Sequence, residues 1–283
     1  MNKIGFNVLV WSAVVSEEMT PIIERLKNIG YDGVECFIGG DDKSAYKRFG
    51  QQALGFELET TGVFTLGKNE NPISESADIR AKAVDRIKWA IDRAHDMNAK
   101  IICGPFHSAH TIFANHAPND QEYAWSAEAL HEAGDYAAQA GVVLAMEAIN
   151  RFECYLCNTM DQLKRLIDET SHPNVRAMYD THHAHLEEKT ILDPIEKIAP
   201  VLAHVHISEN DRGTPGDGLV HWDKSFSTLA AINYQGWYTI EAFSRNDPDF
   251  ANAINVWRDY SEPWEIAENG YKFIKEMSAK YQL

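Results

Sequence analysis

Cysteine, long apolar runs and positive charge are all scarce in this chain, and each shortage closes off a class of protein. Its 4 cysteines, Cys36, Cys103, Cys154 and Cys157, are too few to staple a disulfide scaffold. Cys154 and Cys157 form a C-x-x-C, but no second pair follows at zinc spacing and no redox-motif context surrounds it. Half-buried thiols in a reducing cytosol are the expectation. No apolar stretch approaches the ~20 residues of a membrane-spanning helix. The opening MNKIGFNVLVW runs straight into a strand-like segment with no small-residue cleavage site, so a cytoplasmic protein is expected. Lys and Arg number 26 against 42 Asp and Glu, a formal net charge of -16. Phosphate backbones need clustered Lys and Arg, so a nucleic-acid partner is disfavoured. A small neutral substrate fits better.

What is present suits an ordinary globular enzyme. The 283 residues are 45% hydrophobic and 24% charged, enough to bury a sizeable core without staples. Short apolar runs alternate with longer amphipathic segments along the whole length. Strands are expected at 4–10, 33–37, 57–64, 99–103, 142–147, 175–180, 202–206 and 237–241. Helices are expected at 17–28, 43–54, 76–97, 121–140, 160–169, 194–198, 225–232 and 264–280. In the long third helix, Ile79, Ala83, Ile87, Ile91 and Ala94 recur at helical spacing. Eight βα units with no hairpin reversal imply parallel strands joined by helical crossovers. A closed (β/α)8 TIM barrel spanning 1–283 as one domain suits that count better than an open doubly wound sheet. No G-x-G-x-x-G follows the first strand, which removes the main signal for a dinucleotide site.

In such a barrel the chemistry sits at the C-terminal strand ends. Strands five to eight end on Glu147, Asp180, His206 and Glu241, separated by 33, 26 and 35 positions. Each gap spans about one strand, one helix and two loops, so successive strands each contribute one polar group. Three carboxylates and an imidazole form a hard donor set that suits Mn²⁺, Mg²⁺ or Co²⁺. Without a cation, carboxylates converging in a pocket would repel one another and hold their protons more tightly. Any one of them alone reads equally well as a helix cap or an ion-pair partner. Four in matching positions favour a metal centre. The following loops add Arg151 and Glu153, then His182, His183 and His185, then Glu209 and Arg212, and finally Phe243.

The strings EAINRFE (147–153), YDTHHAHLEE (179–188), HVHISENDRG (204–213), IEAF (240–243) and VWRD (256–259) resemble the ketose 3-epimerases. That group acts on D-tagatose, D-psicose or L-ribulose and belongs to the xylose-isomerase-like sugar isomerase and epimerase barrels. The likeness is dense from about residue 140 onward; earlier it consists of element order and Trp11 after the first strand. The resemblance implies a divalent metal, usually Mn²⁺, on Glu147, Asp180, His206 and Glu241, with Glu147 and Glu241 as the acid/base pair. It also implies that Glu153, His183 and Arg212 contact the sugar oxygens, that Trp11 and Phe243 wall off water, and that the chain forms a homodimer or homotetramer. A metal chelated by the ketone and the adjacent hydroxyl would stabilise an enediolate, and two opposed carboxylates could invert carbon 3.

This chain departs from the group's pattern at His182, where Phe is usual, and at His185, where Asn is usual. The loop GPFHSAHTIF (104–113) has no close match, and its His107 and His110 are further candidate substrate contacts. No phosphate cradle is visible, so a free sugar is expected. A sugar isomerase, an inosose-type dehydratase or a 3-keto-glycoside lyase on the same barrel are the competing enzymes. An abasic-site endonuclease would need a basic face, and a non-catalytic sugar binder would not need both candidate bases.

Overall fold

A computed structural model describes residues 2–283 of the chain. Eight parallel strands close into a barrel in sequence order: β1 (Lys3–Asn7), β2 (Gly33–Phe37), β3 (Glu59–Val63), β4 (Ile101–Gly104), β5 (Val143–Met146), β6 (Val175–Asp180), β7 (Leu202–Ile207) and β8 (Trp237–Ile240). The first strand closes the ring by pairing with the eighth, Ile4 opposite Tyr238. Around it lie α1 (Thr20–Ile29), α2 (Lys43–Gly55), α3 (Ala77–Asp96), α4 (Asp120–Ala140) and α5 (Met160–Thr170). The second half adds α6 (Thr181–Glu187), α7 (Leu192–Ile198), α8 (Trp222–Ala231), α9 (Pro248–Ala253) and α10 (Pro263–Tyr281). The structure is thus the (β/α)8 TIM barrel that the alternating pattern predicts.

Local chemistry sets the element ends. Asn119 accepts from the amides of Gln121 and Glu122 while Glu122 accepts from the amide of Asn119, a capping box that starts α4. The helix stops at Gly141, whose φ of 67° suits a residue without Cβ. Thr159 and Gln162 start α5 in the same way.

The structure differs from the expected elements at three places, each with a local cause. The first strand ends at Asn7, because its side chain accepts from the Leu9 amide and turns Val8–Val10 into a short 3-10 helix. The segment read as a histidine-rich loop is the helix α6, capped by Asp180. The segment after β8 contains α9, begun by the pair Asp247-Pro248: the carboxylate caps it and the proline occupies its first position.

The barrel interior is unusually polar beneath its mouth. Along β7 the alternation sends His204 and His206 inward, while Val205 and Ile207 join the outer apolar core. Asn7, Glu35 and Thr61 meet them from β1, β2 and β3, all buried, where Val, Ile and Leu usually fill a barrel of this kind. Among the described residues no helix is long and apolar enough to cross a membrane.

Candidate metal centre and substrate cavity

The four expected ligands converge. Glu147 follows the last residue of β5, Asp180 ends β6, His206 is the penultimate residue of β7 and Glu241 follows β8. Each offers one donor atom, and those atoms all lie within 4.8 Å of one another in a buried cluster. The Glu147 amide donates to Gly104 O at 3.0 Å, which seats that carboxylate against the end of β4. Gly104 has φ 130°, and a Cβ there would stand 2.2 Å from Phe64 O, so a side chain is excluded at this step.

Asp180 divides its two oxygens. Oδ1 accepts from the amides of His182 and His183 at 2.6 and 3.1 Å and so caps α6. Oδ2 faces the cluster, 3.6 Å from His206 Nδ1 and 3.3 Å from Arg212 Nη1. One oxygen of this aspartate therefore caps the helix while the other faces the cluster. Glu241 Oε2 lies 3.5 Å from His206 Nδ1 and accepts from Arg212 Nη1 at 3.0 Å, while its Oε1 accepts from Asn7 Nδ2 at 3.3 Å.

The electrostatics are those of crowded buried charge. Burial, together with the charges of Asp180 and Glu241, pushes the Glu147 carboxyl well above the usual range. Burial also works against the Asp180 charge, but Arg212, His183 and His206 outweigh it and hold that carboxyl well below the usual range. Burial opposes a proton on His206, yet Glu241 and Glu35 outweigh it and keep its pKa well above that of free imidazole. Glu147 Oε1 and His206 Nδ1 are buried with no hydrogen-bond partner. Two unpartnered buried polar atoms among the described residues, facing two further carboxylates, form a site that a hard divalent cation would complete.

Beside the cluster lies a cavity of about 240 Å³. Its polar side is Glu147, Glu241, His183, Arg212, Glu153 and His110; its apolar side includes Leu9, Phe37, Val63, Phe243, Phe250 and Ile254. His183 Nδ1 accepts from the Asn150 amide at 3.1 Å, which leaves the proton on Nε2. That Nε2 stands 3.0 Å from Arg212 Nη2 and 3.6 Å from Glu147 Oε1. Both groups line the cavity, so an oxygen bound there would lie within reach of the guanidinium and the imidazole. Arg212 adopts φ 66°, rare for a bulky side chain, and its guanidinium lies 4.8 Å from the Phe243 ring centre.

The family model of the xylose isomerase-like TIM barrels matches residues 23–276. The chain belongs to that family. Like other xylose isomerase-like barrels it has solved relatives with the same architecture. An L-ribulose 3-epimerase structure superposes with a TM-score of 0.93 at 25% identity, covering 100% of this chain and 96% of that one. A Methylomonas sp. D-allulose 3-epimerase in complex with D-allulose gives a TM-score of 0.90 at 27% identity, covering 98% and 97%. The D-psicose 3-epimerase of Agrobacterium fabrum is 28% identical over 272 residues, 94% of this chain and 93% of its own length.

The remaining expected site residues divide in this xylose isomerase-like barrel. Glu153 and His110 line the cavity and pair with each other at 3.3 Å, and Glu153 also accepts from Asn150 Nδ2. Burial would raise the Glu153 carboxyl, but His110, His183 and Arg212 hold it well below the usual range. Phe243 walls the cavity as expected, whereas Trp11 does not reach it. The Trp11 ring packs 4.6 Å from Trp264 and 5.3 Å from Phe6, and Leu9, two residues earlier on the chain, supplies that wall. His107 is a buried support whose Nε2 contacts Glu147 O at 2.8 Å, and burial lowers its pKa to about 4.

His182 contacts Glu209 O and faces an outer recess, and His185 lies against His221. Arg151 pairs with Glu187 at the surface. Glu209 is a loop anchor: its carboxylate accepts from the Gly216 and Val220 amides and from Trp222 Nε1, fixing the loop that carries Arg212. Two features went unread in the sequence. Phe250 and Ile254 come from the missed α9 segment, whose signal was Asp247-Pro248. Glu35 lies beneath the ligands, and its signal was a carboxylate in the middle of the buried run GVECF.

Proposed function

We propose that this protein is a divalent-metal-dependent epimerase of free ketoses that inverts carbon 3 by two-base proton transfer. The observation that carries the reading is one cavity with a buried four-donor cluster, two of whose carboxylates, Glu147 and Glu241, come from separate strands. The naming of the relatives as ketose 3-epimerases supports it. The donor set fits Mn²⁺ first, with Co²⁺ or Mg²⁺ as alternatives, because three carboxylates and one imidazole favour hard divalent ions.

Glu147, Asp180, His206 and Glu241 would hold the divalent cation, which would supply Lewis-acid polarisation of the ketone when bound. The chain's own residues do the rest. Glu241, whose oxygens accept from Asn7 and Arg212, takes the proton from carbon 3 in one direction. Glu147, whose burial and anionic neighbours favour the protonated form, returns a proton on the opposite face. The two exchange roles in reverse. His183 and Arg212, neighbours in the cavity lining, would stabilise the oxygen that gains negative charge. Leu9, Phe243, Phe250 and Ile254 limit water. The substrate is unphosphorylated in this reading, because among the described residues Arg212 is the one fixed cation lining the cavity and is already shared between Asp180 and Glu241.

Incubation of Mn²⁺-loaded protein with free ketohexoses and ketopentoses tests the assignment. Products epimerised at carbon 3 are expected. Inertness toward every free ketose, with turnover of a 3-keto-glycoside, would move the protein to lyase or dehydratase chemistry.

A further inference from the structure

We infer that Glu35, which does not line the cavity, is a positioning residue for the metal centre, fixing His206 in the tautomer and orientation that point Nδ1 at the other three ligands. The inference rests on the proposed metal centre and adds a residue that no strand-end pattern indicates.

The geometry is a relay across the barrel. His206 Nε2 lies 2.9 Å from Glu35 Oε1, while His206 Nδ1 faces Asp180 and Glu241 at 3.6 and 3.5 Å. An ionised carboxylate only accepts, so the hydrogen bond places the ring proton on Nε2 and leaves the Nδ1 lone pair toward the ligand cluster. Carboxylate partners of this kind orient ligating imidazoles and raise their basicity.

Glu35 is itself held from several sides. Asn7 Nδ2 donates to Oε1 at 3.0 Å, and Thr61 Oγ1 and Cys103 Sγ donate to Oε2 at 2.9 and 3.3 Å. His204 Nε2 stands 3.1 Å from Oε2. The donor atoms of Glu35, Cys103, His204 and His206 also lie within 4.8 Å of one another. With two neighbours on Oε1 and three on Oε2, however, the carboxylate is saturated as a hydrogen-bond hub, which favours a supporting role over a second ion. Asn7 extends the same network by donating to Glu241 Oε1 at 3.3 Å, so a single amide sets the spacing between the hub and a ligand.

The test is Mn²⁺ affinity by calorimetry on wild type and Glu35→Gln, with thermal melts of both metal-free proteins. The amide keeps the size of the side chain but can no longer enforce one tautomer. A folded variant with Mn²⁺ Kd raised roughly 10–100-fold is expected. A purely structural hub would lower the melting temperature and leave Kd of the folded protein within about threefold of wild type, and that result overturns the inference.

Because the substitution can unfold a buried network, a second measurement uses the unaltered protein. Imidazole ¹⁵N–¹H spectra of the Mg²⁺-loaded chain should show His206 protonated at Nε2 and bare at Nδ1; the opposite tautomer overturns the inference. Wild type that takes up neither ion overturns the metal-centre reading and this one with it. Wild type that binds Mn²⁺ no better than Glu35→Gln overturns this one alone.

Discussion

Asp180 caps α6 with one oxygen and would hold the proposed cation with the other, and the two can be separated chemically. Asn caps helices about as well as Asp, so Asp180→Asn should keep the hydrogen bonds to His182 and His183, and any fall in the melting temperature of the metal-free protein reports the lost buried pair with Arg212 and not the cap. The variant loses the anionic Oδ2, so Mn²⁺ affinity should fall by at least the roughly 10–100-fold seen when a ligand's supporting partner is lost. Calorimetric titration beside a thermal melt distinguishes the two effects. The convergence of the four candidate ligands was legible in the sequence because each is a polar residue at the end of an apolar run, a pattern that depends only on strand periodicity. Trp11 misled because the chain leaves β1 at Asn7, and the 3-10 turn that follows rotates Leu9 toward the cavity and Trp11 toward Trp264. Glu35 was hidden because its partners come from β1, β3, β4 and β7, and no local spacing reports contacts across a barrel interior.

At the level of elements, the strand and core-helix pattern was readable because long amphipathic segments with capping boxes leave little ambiguity, as in α4 and α5. Two of the short helices, α6 and α9, were not. The segment 181–187 has too few residues to show a period, and α9 is shorter still. Yet α9 matters for the cavity, since Phe250 and Ala253 lie on it and Ile254 follows it. Asp247 accepts from the Phe250 amide at 3.1 Å and from the Ala13 amide at 3.0 Å, so one carboxylate both caps α9 and ties it to the loop after β1. Asp247→Ala should cost about 0.5–2 kcal/mol, the usual price of a lost cap. Its larger consequence should be a KM for ketose raised by roughly severalfold with Mn²⁺ affinity unchanged, since the wall loosens while the ligand cluster does not. Steady-state kinetics and a metal titration on the same variant check this. An unchanged KM would show that α9 does not shape the cavity.

For the whole molecule, the barrel brings a net-acidic set of groups into one buried place, and this links metal uptake to pH. Burial, Asp180 and Glu241 raise the Glu147 pKa, and Glu241 and Glu35 raise that of His206 against the effect of burial. Both groups therefore keep protons to higher pH than free side chains do, and an incoming cation must displace them. Mn²⁺ affinity should rise with pH, with protons released on binding; titrations in buffers of different ionisation enthalpy check the sign. Affinity that stays flat between about pH 5 and 8 would contradict it.

The most direct test of the central claim is proton exchange. Mn²⁺-loaded protein is incubated with D-fructose or D-ribulose in D₂O and followed by NMR. The account predicts deuterium at carbon 3 together with the carbon-3 epimer, and neither after chelation of the metal. Deuterium at carbon 1 with aldose formation, or no exchange with any ketose, would contradict it.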